Sequence, residues 1–224
     1  MIDVVKNFNL ISTSGMAFKE GTRLLVQDGN KLTGTGTSMV ACGILENPIQ
    51  ADFNVADAIQ FYSALSGFVT PTVEVLEHQI VIGEKGNGAK YKLTKASPLV
   101  VKSPDAVDFP EEDGNIVFTL SPESLNQIIR GVAVVAAPML AITAYNGELT
   151  CAAINPENET ADTFVYPVGS STENCRFILK VENINRLMKN VAYNVTVSPR
   201  GLVRFVSDGP FPLSYYIAVQ HEEK

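Results

Sequence analysis

Residues 53–61 (FNVADAIQF) and 179–187 (LKVENINRL) share a pattern. In each, a short apolar stretch leads into a segment whose apolar residues recur at helical spacing. Each copy is followed by three short apolar segments that predict strands, at 73–75, 80–82 and 91–93 and at 195–197, 202–205 and 215–217. A predicted hairpin also precedes each copy, turning at Asp28-Gly29 and at Asn146-Gly147. The chain therefore repeats an α+β unit of about 110 residues, and such pseudo-symmetry is a means of building rings.

The composition indicates a globular chain of two domains. Its 224 residues are 46% hydrophobic and 18% charged, which is typical of folded proteins. The duplication predicts a first domain over residues 1–96 and a second over residues 114–224. Residues 97–113 contain Pro98, Pro104 and Pro110 among acidic residues, which predicts a connector. The connector also carries apolar residues, so we expect part of it to pack on a surface.

Targeting and cysteine patterns point to the cytoplasm. No apolar run approaches 18 residues, and the start of the chain lacks the features of a signal peptide. Cys42, Cys151 and Cys175 are scattered without a CxxC motif, which favours a reducing compartment. With only two histidines, the chain offers no zinc-ligand spacing, and we expect no metal and no cofactor.

Four helices are predicted from apolar periodicity, at residues 3–12, 55–65, 121–132 and 181–191. Asn54 is the expected N-cap of the second, and Ser121 with Pro122 starts the third. Most remaining segments predict strands. The glycine-rich residues 83–88 could cradle a phosphate, but strands on both sides favour a hairpin turn. Such short helices must lie on sheets, since they are too short to form a bundle core.

The charges are distributed unevenly, which bears on whether this acidic chain could bind nucleic acid. A net charge of −7 argues against nucleic-acid binding. The helical segments, with Lys180 counted at the start of the fourth, hold five basic and four acidic residues, a net of +1, so the rest of the chain carries −8. The four acids lie in first helical turns, where the helix dipole favours them. The mildly basic faces are either ordinary solvated surfaces or a weak track for a polyanion.

The order of elements resembles that of the DNA polymerase sliding clamps over essentially the whole chain. Residues 4–8 (VVKNF) and 14–21 (SGMAFKEG) are similar to the start of the T-even-type bacteriophage clamp. Residues 213–219 (LSYYIAV) are similar to the terminal strand of the proliferating cell nuclear antigen. The resemblance implies an α+β clamp fold of two similar domains, each with two helices packed on antiparallel sheets, assembled as a homotrimeric ring.

The resemblance also implies function and partners. The ring would encircle double-stranded DNA without reading its sequence and tether the DNA polymerase, after opening by a clamp loader. The implied channel residues are basic: Lys6, Arg130, Lys180, Arg186 and Lys189. The implied partner pocket lies between the halves and is formed by Val40, Val107, Phe109, Pro212, Tyr216, Ile217 and Ala218. Either Tyr216 or Ile217 should face the core, because strand residues alternate sides. Edge strands near 101–107 and 163–168 are expected to pair between chains.

Two other classes of protein compete with this interpretation. A ring-forming phage structural protein, such as a tail or baseplate component, would also be duplicated, acidic and rich in strands. An enzyme is disfavoured, because His78 falls in a predicted turn and His221 in the tail. No serine, cysteine or carboxylate has an evident partner at catalytic spacing.

Overall fold

The chain divides into two compact units, residues 1–107 and 108–224. The computed structural model describes residues 23–27, 31–35, 39–44, 52–96, 109–111, 113–158, 160–208 and 213–222. Sixteen strands and three helices lie in these described ranges. The predicted helix at 3–12, the channel residue Lys6 and most of the connector fall outside them.

The first unit contains two antiparallel sheets and one helix among its described residues. The elements are β1 (Arg23–Gln27), β2 (Lys31–Thr35), β3 (Met39–Ile44), β4 (Phe53–Val55), α1 (Ala58–Ser66), β5 (Pro71–Val75), β6 (Gln79–Glu84) and β7 (Lys90–Thr94). One sheet has the order β4-β1-β2-β3 and the other the order β5-β6-β7. Helix α1 packs on β6. The ring of its Phe61 lies 5.6 Å from that of Phe53, and both side chains are buried.

The second unit repeats this arrangement with additional strands. Its elements are β8 (Ile116–Leu120), α2 (Pro122–Val134), β9 (Met139–Tyr145), β10 (Gly147–Ile154), β11 (Phe164–Ser171), β12 (Cys175–Lys180), α3 (Val181–Ile184), β13 (Ala192–Ser198), β14 (Leu202–Asp208), β15 (Leu213–Ala218) and β16 (Gln220–Glu222). The sheets have the orders β11-β10-β9-β12-β16 and β15-β14-β13-β8. Tyr193 packs against Phe205 and Tyr215, with ring centroids 6.0 Å and 6.1 Å away.

The two units share a strand order, which confirms the duplication. In the first, β4-β1-β2-β3 is followed by α1 and the meander β5-β6-β7. In the second, β12-β9-β10-β11 is followed by α3 and the meander β13-β14-β15. The predicted α+β class with helices on antiparallel sheets is confirmed. The described part of the second unit adds β8 to the meander and β16 to the other sheet.

Helix α1 begins three residues later than predicted. Its N-cap is Asp57, whose carboxylate accepts hydrogen bonds from the backbone N–H groups of Ile59 (2.9 Å) and Gln60 (3.1 Å). Asn54, the predicted cap, lies instead in β4, where its carbonyl accepts a hydrogen bond from Ala96. A carboxylate that reaches two free N–H groups specifies the helix start more strongly than apolar spacing does. By contrast, Ser121 caps α2 as predicted, its hydroxyl oxygen accepting from the N–H of Ser124.

The predicted helix at 181–191 is wrong in length, since α3 ends at Ile184. Lys180 at its N-cap makes no side-chain capping hydrogen bond. Beyond α3 the chain tightens into i-to-i+3 turns, in which Arg186 N–H donates to the Asn183 carbonyl at 3.2 Å. Asparagines at 183, 185 and 190 favour such turns over helix, because their side chains compete for backbone hydrogen bonds.

The glycine-rich residues 83–88 form the predicted hairpin turn. Strands β6 and β7 pair on either side of it. Asn87 N–H donates to the Glu84 carbonyl at 3.1 Å, and Gly86 adopts φ +84°. No helix follows, so nothing here builds a helix-terminal phosphate site. At the end of the chain, Gln220–Glu222 form β16 against β12, where the sequence predicted only a polar tail from His221.

Candidate DNA-facing and partner-binding surfaces

The described cations predicted for the DNA channel all lie in the second unit. Arg130 is exposed on α2, Lys180 is exposed at the N-cap of α3, and Lys189 is exposed in the turns that follow α3. Arg186 is half-buried, and its Nε is buried without a hydrogen-bond partner among the described residues. Arg186 and Lys189 therefore project from turns, where the sequence predicted a helix.

One hydrogen bond ties α2 to the turns that carry Lys189. The side-chain amide of Asn126 donates to the backbone carbonyl of Lys189 at 3.2 Å. Arg130 lies one helical turn beyond Asn126, so both project from the same side of α2. Arg130 and the backbone of Lys189 therefore lie on the same side of α2. This side of α2 joins basic residues from two parts of the sequence on a chain of net charge −7.

The predicted pocket residues on β15 separate onto two faces. Ile217 is fully buried with Tyr215, whereas Tyr216 is half-buried and Ala218 is exposed. This is the alternation expected of a strand, so Tyr216 and Ala218 face away from the core that Ile217 fills. Val40 is half-buried on β3. Val107 and Pro212 lie outside the described residues.

Phe109 packs on the outer face of the β13–β15 meander. The guanidinium carbon of Arg204 lies 4.5 Å from the centroid of the Phe109 ring, within the range of a cation–π contact. The ring of Tyr216, directly opposite Arg204 across β14 and β15, has its centroid 6.5 Å from that of Phe109. Phe109 is only 6% exposed as a result.

The two residues after Phe109 are also held by the second unit. The carbonyl of Pro110 accepts a hydrogen bond of 3.0 Å from the side-chain amide of Asn115. A carboxylate oxygen of Glu111 lies 2.8 Å from a terminal nitrogen of Arg204. Sequence reasoning missed Arg204, Glu111 and Asn115. The available signal was a charged residue at an outward-facing position in the apolar strand LVRFV, residues 202–206.

Two edge strands present exposed side chains. Strand β7 ends the β5-β6-β7 sheet and carries Tyr91, which is 48% exposed. Strand β11 ends the larger sheet of the second unit and carries Val165, which is 57% exposed. Among the described residues neither strand has a neighbour on its outer side, and such edges are templates for pairing with another chain.

The thiols show no activation for nucleophilic chemistry. Burial raises the pKa of Cys151 to about 12 and also raises the pKa of Cys42. Burial, with a smaller contribution from Glu173, raises the pKa of Cys175. Within the described ranges, no three His, Cys, Asp or Glu side chains are grouped to hold a metal ion. In the same part of the chain, every helix is too short or too polar to cross a membrane.

Comparison with solved structures identifies the fold. Neither a protein-family model nor a curated protein sequence matches the chain. A putative DNA polymerase III beta subunit from Eubacterium rectale is similar in structure, with a TM-score of 0.71 at 12% identity over 99% of this chain. This chain spans only 64% of that protein's length.

Two PCNA structures are similar over nearly their own full length as well. PCNA of A. fulgidus, solved with the C-terminal region of FEN-1, has a TM-score of 0.67 at 11% identity, covering 100% of this chain and 98% of its own. The PCNA2–PCNA3 complex from Sulfolobus tokodaii gives 0.65 at 13% identity, with 98% of each chain covered. The fold of this chain is therefore that of the DNA sliding clamps.

Proposed function

We propose that this protein is a DNA sliding clamp. It closes into a ring around duplex DNA and tethers the replicative polymerase for processive synthesis, without reading base sequence. The observation that carries the proposal is the clamp fold itself, which matches PCNA over 98% to 100% of both chains. A tether of this kind catalyses no reaction and requires no cofactor.

The ring is a homotrimer of six domains in this proposal. The domains span residues 1–96 and 114–224 and are joined by the connector 97–113. The expected edge strand near 101–107 falls outside the described residues, and β7 is a described edge strand of the first unit. Since β7 and β11 lie in different units, pairing β7 of one copy with β11 of the next forms a head-to-tail contact. Such a contact repeats around a closed ring. A β-strand pairing also satisfies the backbone groups that each edge leaves open.

In this proposal the protein contacts DNA only weakly. Lys6, Arg130, Lys180, Arg186 and Lys189 line the hole, and the acidic remainder of the chain faces outward. A few basic residues give a small electrostatic contribution to affinity. Retention then depends on the closed ring, and the protein remains free to move along the duplex.

The partner site supports binding of the polymerase and the clamp loader. Among the predicted residues, Phe109, Tyr216 and Ala218 are the described members that lie toward the outer face of β15. Val40, Val107 and Pro212 complete the proposed site, whereas Ile217 supports it from the core. A T-even-type bacteriophage source, with action in the host cytoplasm, is the setting that the sequence resemblance suggests.

The experiment that tests the proposal separates topological from chemical binding. Sedimentation equilibrium should give the mass of three chains. After loading by a clamp loader, the protein should remain on nicked circular DNA through a high-salt wash and leave the same DNA once it is made linear. Equal loss from both forms would reject encirclement. A trimer that never associates with circular DNA would favour a structural ring protein of a phage particle.

A further inference from the structure

The carbonyl groups of Met188 and Lys189 accept hydrogen bonds from side chains that lie elsewhere in the second unit. In an α-helix these two carbonyls would accept from the N–H groups four residues later, those of Ala192 and Tyr193. Both of those residues belong to β13, so the turns after α3 leave the two carbonyls without helical partners. Carbonyls freed in this way bond to side chains or to water. The side chains that reach them therefore decide how firmly the turns are held.

Tyr193 is fixed at both ends of its side chain. Its ring is fully buried against the rings of Phe205 and Tyr215. Its hydroxyl donates to the Met188 carbonyl at 3.0 Å. A tyrosine whose hydroxyl returns to the backbone a few residues upstream also fixes a corner of the chain in immunoglobulin-type sandwiches. Tyr193 therefore fastens the turns to the core of the second unit.

The neighbouring carbonyl is bonded by helix α2. The side-chain amide of Asn126 donates to the Lys189 carbonyl at 3.2 Å. Within the described residues, the backbone hydrogen bonds of the turns end where the Leu187 N–H donates to the Ile184 carbonyl at 3.1 Å. The two side-chain bonds therefore tie down residues 188–191, from which the exposed Lys189 side chain projects.

We propose that Tyr193 and Asn126 are positioning residues for Lys189, which they hold where its ammonium group can contact a phosphate of duplex DNA. A cation on a loosely held segment loses conformational freedom when it binds, and fixing the segment beforehand removes part of that cost. The contribution of each cation matters on a chain that offers few of them. That the phosphate belongs to DNA rests on the proposed function, whereas the attachment of the turns does not.

Hydrogen exchange of the free protein tests the attachment. Tyr193→Phe keeps the buried ring and removes the hydroxyl, so the Arg186 and Leu187 amides should exchange about fivefold faster relative to those of β10. Tyr215→Phe is the matched control. It removes a hydroxyl of the same cluster that is buried without a hydrogen-bond partner among the described residues, and it should leave both rates unchanged. Wild-type rates in Tyr193→Phe would overturn the proposal.

A double-mutant cycle tests the connection to DNA. Tyr193→Phe should weaken binding to a linear duplex about threefold at low salt, although it changes no charge. In a Lys189→Gln protein the same substitution should have no further effect, because no ammonium group is left to position. A loss of the same size in both proteins would also overturn the proposal, since Tyr193 would then act through another part of the molecule.

A second variant keeps the test decisive if Tyr193→Phe does not fold, which circular dichroism will show. Asn126→Ala breaks the bond to the Lys189 carbonyl and should reproduce both effects, with the exposed Gln127→Ala as its control. A wild-type protein without affinity for duplex DNA would reject the proposed channel and with it the role of Lys189. Exchange rates that are insensitive to both substitutions would instead reject the attachment, so the two failures are distinguishable.

Discussion

Glu84 accepts two hydrogen bonds from Thr70, one from the hydroxyl and one from the backbone N–H, each 2.7 Å long. These bonds, the hydroxyl first, hold the pKa of Glu84 below its ordinary value. The native state therefore favours the carboxylate, so this stabilisation is complete above the ordinary carboxyl pKa of about 4.3. It is lost as the pH falls through the lower native pKa.

Substituting Glu84→Gln should therefore reduce the acid sensitivity of the fold. Urea unfolding midpoints at pH 7 and pH 3.5 should differ less in Glu84→Gln than in the wild type. Thr70→Val removes the hydroxyl donor and should give part of the same reduction. A pH dependence identical in all three proteins would show that this hydrogen-bonded carboxylate contributes nothing to acid stability.

Single residues show where sequence reasoning succeeds and where it stops. Strand alternation predicted that only one of Tyr216 and Ile217 faces outward, and burial assigns that position to Tyr216. Arg204 escaped prediction, because its role depends on Phe109, which is 95 residues earlier in the sequence. Local patterns specify which side of a strand a residue takes, but they do not specify which distant segment covers it.

At the scale of elements, helix α2 holds the edge strand β11 through a glycine. A Cβ on Gly131 would lie 2.1 Å from Cδ1 of Phe164, which is far inside contact distance. The stacked rings of Phe164 and Tyr166 continue this contact along β11, and Tyr166 lies within 3.3 Å of the Ser124 hydroxyl on the same helix. The absence of a side chain at Gly131 is therefore what lets the helix approach the strand.

Gly131→Ala should destabilise the protein, although alanine is the better helix former. In an open helix this change stabilises by about 0.5–1 kcal/mol, whereas overpacking here should cost about 1–3 kcal/mol. Urea unfolding measures the sign, with Gln127→Ala on the exposed face of α2 as the control. Adding Phe164→Ala should recover part of the loss. A Gly131→Ala protein as stable as the wild type would mean that the Phe164 ring moves aside freely.

The elements themselves were predicted unevenly, for physical reasons. The duplication and most described strands followed from turn residues and apolar spacing, which act locally. The length of α3 did not, since a periodic apolar stripe also fits a series of tight turns. The low helix propensity of the asparagines and the missing side-chain bond at the N-cap both favour the turns. The pattern likewise predicts a helix start at Asn54 and Val55, where the short strand β4 lies, because three residues are too few to establish a period.

At the scale of the whole molecule, the weak basic surface and the acidic net charge become compatible. A protein that holds DNA by attraction needs many cations, whereas one that is threaded on DNA needs few. In the proposed ring, the exposed residues Arg130 and Lys189 would supply a small number of phosphate contacts. Most of the acidic residues lie elsewhere on the chain, where repulsion keeps DNA away from the outside of the proposed ring.

Charge reversal at this surface should therefore affect DNA association without affecting assembly. The affinity for linear duplex DNA should fall less steeply with salt in the double variant Arg130→Glu, Lys189→Glu. The slope of log affinity against log salt concentration should become shallower by about one for each lost contact. The trimer mass from sedimentation should stay unchanged, since neither residue lies on β7 or β11. Arg200→Glu, which is exposed on the turn between β13 and β14, is the matched control and should keep the wild-type slope. If the double variant keeps the wild-type slope, Arg130 and Lys189 do not contact DNA. Such a result would not bear on the fold or on the contact between subunits.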